Sequence, residues 1–266
     1  MNWSIDVSLD DVRNAYSGPV GTLWEMVMGE QMHVGGSRAT VELAIMAGIG
    51  PGSRVLDICS ALGGPARQLA REFGCTVTGI DATPAMVEEA TRRAAAEGLG
   101  GRVEFRLGNA LGLPFRWSSF DVAWGQDAWC YVTDKERLVR EACRTVRPGG
   151  TLAFTDWIQG DCYPDDDLAP LLEFMLFPYL ETRAGYTSMR EESGLEVTRY
   201  VDLSDDFARQ LSRYAEDIRG DLRREIIRRF GEEFFTAIDE GIGSWEVYAR
   251  EGKVGRGLWV ARKSAG

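Results

Sequence analysis

From residue 51 to about residue 160, short apolar runs alternate with amphipathic segments, the pattern of βαβ units around a parallel sheet. Residues 54–59 read as a first strand. Gly63, Gly64 and Pro65 open a helix, with Gly64 at the N-cap and Pro65 at the first helical position, where a missing N–H costs nothing. Residues 66–73 continue it with Leu69 and Ala70 inward, and Gly74 ends it. A second strand over 75–80 closes on Asp81, and Thr83 and Pro84 start a helix running to about residue 96. Strands over 102–107 and 120–124, a helix over 135–146 and a strand over 151–155 follow, the last after the turn 147–150.

Beyond residue 160 the pattern changes. Residues 161–167 read as an acidic loop and 168–180 as an apolar helical stretch broken at Pro178. A short helix over 188–193 stops at Gly194 before a strand over 195–203. Residues 205–240 are strongly helical, with Leu222, Ile226, Ile227, Phe230, Phe234, Phe235 and Ile238 on one face at a 3.6-residue period. Residues 257–262 form a closing strand, and the added helices are expected to pack on the sheet as a cap.

Composition narrows the function classes. The 266 residues carry 30 Lys plus Arg against 41 Asp plus Glu, a formal charge of −11, which argues against a nucleic-acid backbone as partner. Residues 41–49 and 168–180 are too short or too interrupted to cross about 30 Å of hydrocarbon, so no membrane partner is expected. No secretory leader is visible in residues 1–11, and a cytoplasmic location is expected. The cysteines at 59, 75, 130, 143 and 162 form no CxxC pair and read as reduced thiols. With His33 the single histidine, a His-based metal site is not expected.

The informative segment is the strand and turn from Val55 to Gly64, followed by Gly79, Ile80 and Asp81. A strand that delivers a turn and then a helix N-terminus is where open α/β sheets bind ligands. The loop has Cys59, Ala61 and Gly63 at its small-residue positions and lacks the lysine of a phosphate-gripping loop. Asp57 would repel a phosphate but suits an ammonium group. S-adenosylmethionine meets these demands, with an ammonium, a carboxylate, two ribose hydroxyls and an adenine but no phosphate. Asp57 is expected at its methionine end, and Ala61 and Gly63 where the backbone approaches closely. Asp81, with the adjoining Ala82, is expected at the ribose, and Asn109 and Ala110 at the adenine edge.

These runs, with residues 120–124 and 147–150, resemble the motif series of class I S-adenosylmethionine-dependent methyltransferases. The resemblance implies a Rossmann-like seven-stranded α/β sheet over residues 51–160, an N-terminal helical flap over 1–50, and a helical cap over 161–266 that also supplies the final strands. Residues 31–35, 125–131, 154–157 and 185–188 are similar to sarcosine/dimethylglycine N-methyltransferases. Cys59 and Ala61 depart from the usual glycines, and Tyr131 stands where many relatives have histidine.

Methyl transfer from a sulfonium is an in-line displacement, so positioning and water exclusion dominate. Trp124, Trp129, Tyr131 and Trp157 are expected at the mouth of the sheet, joined by Tyr179, Tyr186 and Trp245 from the cap, as faces for a cationic product. Gln126 is expected near the cofactor's methionine end and Asp127 at the acceptor. Asp156 is a candidate proton acceptor, with His33, Tyr131 and Tyr186 as further catalytic candidates. A substrate carboxylate would need Arg38, Arg183 or Arg190. The expected reaction is methylation of a small polar acceptor, most readily the nitrogen of an N-methylated amino acid. Methylation of sulfur, carbon or oxygen, and cofactor binding without catalysis, stay open. The expected partners are the acceptor and, at most, a second copy of the chain.

Overall fold

The computed structural model describes residues 4–160 and 168–265, with all their side chains except those of residues 190–192. The expected acidic loop over 161–167, including Cys162, therefore lies outside the described residues. Three helices come first: α1 (Leu9–Ser17), started by a capping box between Ser8 and Asp11, α2 (Pro19–Met28) and α3 (Gly36–Ala47). The sheet then begins with β1 (Arg54–Ile58), α4 (Gly64–Phe73), β2 (Thr76–Asp81), α5 (Pro84–Ala96) and β3 (Val103–Leu107). It continues with β4 (Phe120–Gln126), α6 (Lys135–Thr145) and β5 (Val146–Gln159). The remainder comprises α7 (Ala169–Met175), β6 (Glu181–Thr182), α8 (Arg183–Glu192), β7 (Leu195–Asp202), α9 (Ser204–Arg219), α10 (Arg223–Phe230), α11 (Glu232–Arg250) and β8 (Val254–Lys263).

The strands lie in the order β3-β2-β1-β4-β5-β8-β7, with the two-residue β6 beside β5. The seven-stranded sheet is thus present, with β6 added to it. The pairs among β1 to β5 are parallel, whereas β8 runs antiparallel between β5 and β7. Side chains alternate across the sheet, so Val55, Val122 and Trp124 pack under α3 and α4, while Leu56, Ile58 and Ala123 pack under α6 and α8. A separate apolar core joins α2 and α7 to α9, α10 and α11, centred on Trp24, Trp157 and Trp245. Order reverses between β1 and β4, and the crevice at the carboxyl ends of those strands is the ligand position of such sheets.

Several boundaries differ from the sequence expectation. The N-cap of α4 is Gly63, in the left-handed region at φ +67°, and Gly64 is already helical. The 147–150 turn lies inside β5: a register shift against β4 and Gly149 at φ +71° absorb it, and pairing on both sides extends the strand to Gln159. The apolar stretch stops being helical at Met175, before Pro178, because Leu176 turns left-handed. α8 begins at Arg183, not 188, since the Thr182 hydroxyl accepts from the Gly185 amide at 2.9 Å and caps the chain there. The long helical stretch is divided by Gly220 and Gly231, and α11 runs on to Arg250. The four described cysteines are unpaired, and no described helix is long and apolar enough to cross a membrane.

Candidate active site

A cleft opens over the ends of β1, β2 and β4 and is roofed by Leu9, Val12 and Tyr16 of α1 with Gln31 and Met32. The predicted residues Asp57, Ala61, Asp81, Ala82, Asn109, Ala110, Gln126, Asp127 and Tyr131 all line it.

The loop after β1 carries its own strain. Cys59 (φ +64°) and Ala61 (φ +43°) are left-handed without being glycine, which costs about 1–2 kcal/mol each. The end of β2 holds them there. The Cys59 and Ser60 amides donate to the Ile80 carbonyl at 2.8 and 3.0 Å, and the Ala61 amide donates to Asp81 Oδ2 at 2.8 Å. Asp81 Oδ1 accepts from the Thr83 amide at 2.8 Å, so one carboxylate ties both loops together. Gly63 does not line the cleft. A Cβ there would come within 2.1 Å of the Phe105 ring, so this glycine serves packing and not ligand approach. Gly64 is similarly filled by the Glu30 carbonyl, which seats the flap on α4.

Three buried polar atoms on the cleft wall have no hydrogen-bond partner among the described residues: Asp57 Oδ2, Ser60 Oγ and Gln126 Nε2. Buried polar atoms are ordinarily satisfied, so these three are the groups that would hold a polar ligand in the cleft. Two acceptors and an amide donor match an ammonium and a carboxylate on one carbon. Burial, reinforced by nearby Asp81, pushes the Asp57 carboxyl up to about 7. Burial also raises Asp81, opposed by its backbone hydrogen bonds to Thr83 and Ala61. Asn109 turns the adenine-side loop by accepting from the Leu111 amide at 2.8 Å.

On the acceptor side, Tyr131 stands in a 3-10 turn, Trp129–Tyr131, and its hydroxyl is 2.5 Å from that of Tyr16. Their rings meet edge to face at 5.4 Å. Burial raises both phenols above the ordinary range, so both stay protonated at neutral pH. Tyr16 was not among the expected residues. Its signal is the spacing of Leu9, Val12 and Tyr16, one face of a helix.

The tryptophans expected at the mouth do not line the cleft. Strand alternation turns Trp124 into the layer beneath α3 and α4. Trp129 stacks on Phe154 at 4.3 Å, and Trp157 meets Trp245 edge-on at 4.7 Å inside the cap core. Asp156 and Tyr186 also lie behind the wall: Asp156 accepts from the Tyr186 hydroxyl at 2.6 Å and from the Cys130 amide at 3.0 Å, supporting the Tyr131 turn. Burial pushes Asp156 up to about 7. Arg183 sits over the Tyr200 ring at 4.3 Å, and Arg38 pairs with Glu42; neither reaches the cleft. The Arg190 side chain lies outside the described residues. Asp127 is ion-paired with buried Arg256 at 2.8 Å while its Oδ2 accepts from the Val34 amide at 2.9 Å, so it clasps the flap. Arg256 was missed by sequence reasoning, though a charged residue between two glycines in an apolar strand was its mark.

His33 is buried behind the cleft lining. Its Nδ1 is 3.1 Å from the Val34 carbonyl and its Nε2 is 2.9 Å from Thr40 Oγ1, and burial lowers it to about 4, so it is neutral. Thr40 Oγ1 in turn lies 3.1 Å from the Gln31 carboxamide and 3.0 Å from that of Gln126. His33 therefore reaches the cleft only through Thr40. We expect His33→Ala to weaken S-adenosylhomocysteine binding by about tenfold, one hydrogen bond's worth, with kcat at saturating cofactor nearly unchanged. Calorimetry and initial rates check this, and a kcat loss of about 100-fold would restore a direct role in proton transfer.

Residues 55–150 match the family model described as a methyltransferase domain. The sarcosine/dimethylglycine N-methyltransferase of Halorhodospira halochloris is 29% identical over 255 residues, covering 88% of each chain. The glycine/sarcosine/dimethylglycine N-methyltransferase of Actinopolyspora halophila is 28% identical over 88% of this chain, which spans only 41% of that relative's length. In structure, the Haemonchus contortus phosphoethanolamine N-methyltransferase 2, solved with phosphomonomethylethanolamine and S-adenosylhomocysteine, superposes with a TM-score of 0.86 at 23% identity, covering 95% of this chain and 59% of that one. The match over the cofactor loops, joined to a cleft whose open donors and acceptors fit an amino-acid end, shows that residues 55–150 of this chain form a methyltransferase domain similar to those of S-adenosylmethionine-dependent small-molecule methyltransferases.

Proposed function

We propose that the enzyme methylates the nitrogen of a small secondary or tertiary amine that arrives neutral and leaves with a positive charge. One observation supports this most. Among the described residues, the cleft lining contains the carboxylates of Asp57, Asp81 and Asp127 and no Lys, Arg or His. Asp127 is already neutralised by Arg256 behind the wall, so the selectivity comes from the lining's lack of any cation to pair with a phosphate ester, with Asp57 and Asp81 leaving a net negative field for a forming cation. Sarcosine and dimethylglycine, the acceptors in the names of the relatives above, fit if their carboxylates face the open mouth.

The cofactor supplies an electrophilic methyl on a sulfonium. Asp57, Ser60 and Gln126 would hold its amino-acid end, Asp81 its ribose, and the Asn109 and Ala110 loop its adenine. Tyr16 and Tyr131, both protonated, close the roof, offer hydroxyls to the acceptor and exclude water. A neutral tertiary amine needs no base; a secondary amine loses a proton after transfer, to solvent at the open mouth.

The test is transfer of labelled methyl to four matched acceptors: sarcosine, dimethylglycine, N,N-dimethylethanolamine and its phosphate ester. We expect kcat/KM for dimethylethanolamine to equal or exceed that for dimethylglycine, with the phosphate ester slowest. Preference for the ester, or no transfer to any amine, overturns the proposal.

A further inference from the structure

Lys135 occupies a place where a lysine is costly. It is fully buried and opens α6, where the helix dipole disfavours a cation. It forms no ion pair with a carboxylate among the described residues. Its ammonium is instead held by backbone carbonyls, donating to Val132 at 3.0 Å, Tyr179 at 3.1 Å and Cys130 at 3.5 Å, and it lies 3.6 Å from the centre of the Tyr179 ring.

Two of those carbonyls flank Tyr131. The Cys130 peptide is held from both ends, its amide by Asp156 and its carbonyl by Lys135. The Tyr179 carbonyl belongs to the segment that follows α7 under the cap. We propose that Lys135 is a positioning residue for methyl transfer, tying the Trp129–Tyr131 turn to this segment and so fixing where the Tyr131 hydroxyl stands in the cleft. The proposal rests on the reading of Tyr131 as an acceptor-side group.

Burial lowers the lysine to about 8, against the pull of Asp156 on β5, Cys130 in the turn and Glu181 on β6, all of which favour the charged form. The faces around it are completed by Tyr179, Asp134 and Glu136. A neutral amine keeps the packing but gives weaker hydrogen bonds to carbonyls. The tie therefore loosens as pH rises through about 8.

Lys135→Met removes the charge at similar length, and Lys135→Arg keeps it. In Lys135→Met, amide hydrogen exchange of residues 130–132 should rise at least about tenfold, with residues 138–145 of α6 unchanged and the S-adenosylhomocysteine Kd within about threefold of the parent. Misplacement of a reacting-side group by an ångström costs up to about 100-fold, so acceptor kcat/KM should fall about 10- to 100-fold, with partial rescue in Lys135→Arg. The parent's decline in acceptor kcat/KM above about pH 8 should be absent from the Met variant. Unchanged exchange in 130–132, or exchange rising equally through α6 with cofactor affinity lost in proportion, overturns the proposal. Tyr131→Phe, run alongside, separates the two readings. If it is fully active while exchange in Lys135→Met rises as expected, the acceptor-side role of Tyr131 fails and the tie itself stands.

Discussion

Asp81→Ala is expected to raise the Kd for S-adenosylhomocysteine by about 100-fold or more while leaving the sheet intact. The carboxylate does two jobs. Its oxygens accept from the Ala61 and Thr83 amides, and each keeps a further lone pair for a ribose hydroxyl. Two charge-assisted hydrogen bonds at about 1.5–3 kcal/mol each account for the loss. Removing the ties also frees Ala61 to leave its left-handed conformation, so the loop no longer waits in its binding shape. Asp81→Asn, which keeps acceptor capacity on one oxygen, should lose less. Calorimetry with the demethylated cofactor measures both, and an Asp81→Ala affinity equal to the parent's would remove Asp81 from the ribose.

Asp57→Asn is expected to bind cofactor about 10- to 100-fold more weakly at pH 8 and yet melt at a higher temperature when free of ligand. Both follow from a buried carboxyl raised to about 7. In the unfolded chain an aspartate titrates near 3.9, so the folded state is the better proton binder between the two values. Stability from this group is therefore greatest below the unfolded value, declines as pH rises toward about 7, and stays reduced above it. The asparagine avoids that cost, on the order of a few kcal/mol. The cofactor ammonium prefers the ionised form, so parent affinity should fall up to tenfold per unit as pH drops below about 7. That slope should be missing in Asp57→Asn. Thermal melts of the ligand-free protein and Kd values on either side of pH 7 provide the check, and a variant with the parent's pH slope would refute the assignment.

The cofactor half of the cleft was readable because its signals are local. A strand must end, turn and start a helix, and the small residues at 59, 61 and 63 mark where that happens. Even there the roles were not all readable: Gly63 looks like a ligand-facing glycine until the Phe105 ring is found in the space above it. The acceptor half was read less well. Trp124, Trp129 and Trp157 follow or end strands in the sequence, but alternation and core packing, not adjacency to a strand end, decide which way each ring turns. Tyr131 lines the cleft, while its neighbour Tyr16 comes from 115 residues away.

By itself, then, the sequence determined the succession of strands and helices in the cofactor-binding half, the loops that bear Asp57, Asp81 and Asn109, and the absence of clustered basic charge. These follow from periodicity, turn chemistry and composition, each a property of short stretches or of the whole chain. The tertiary structure alone decided which aromatic side chains face the cleft, that Asp127 is clasped by Arg256 across 129 residues, and that His33 is hydrogen-bonded to Thr40 behind the cleft lining. Those outcomes depend on which distant surfaces meet, and on the cost of burying a charge or hydrogen-bonding group that neither the chain nor a ligand can satisfy.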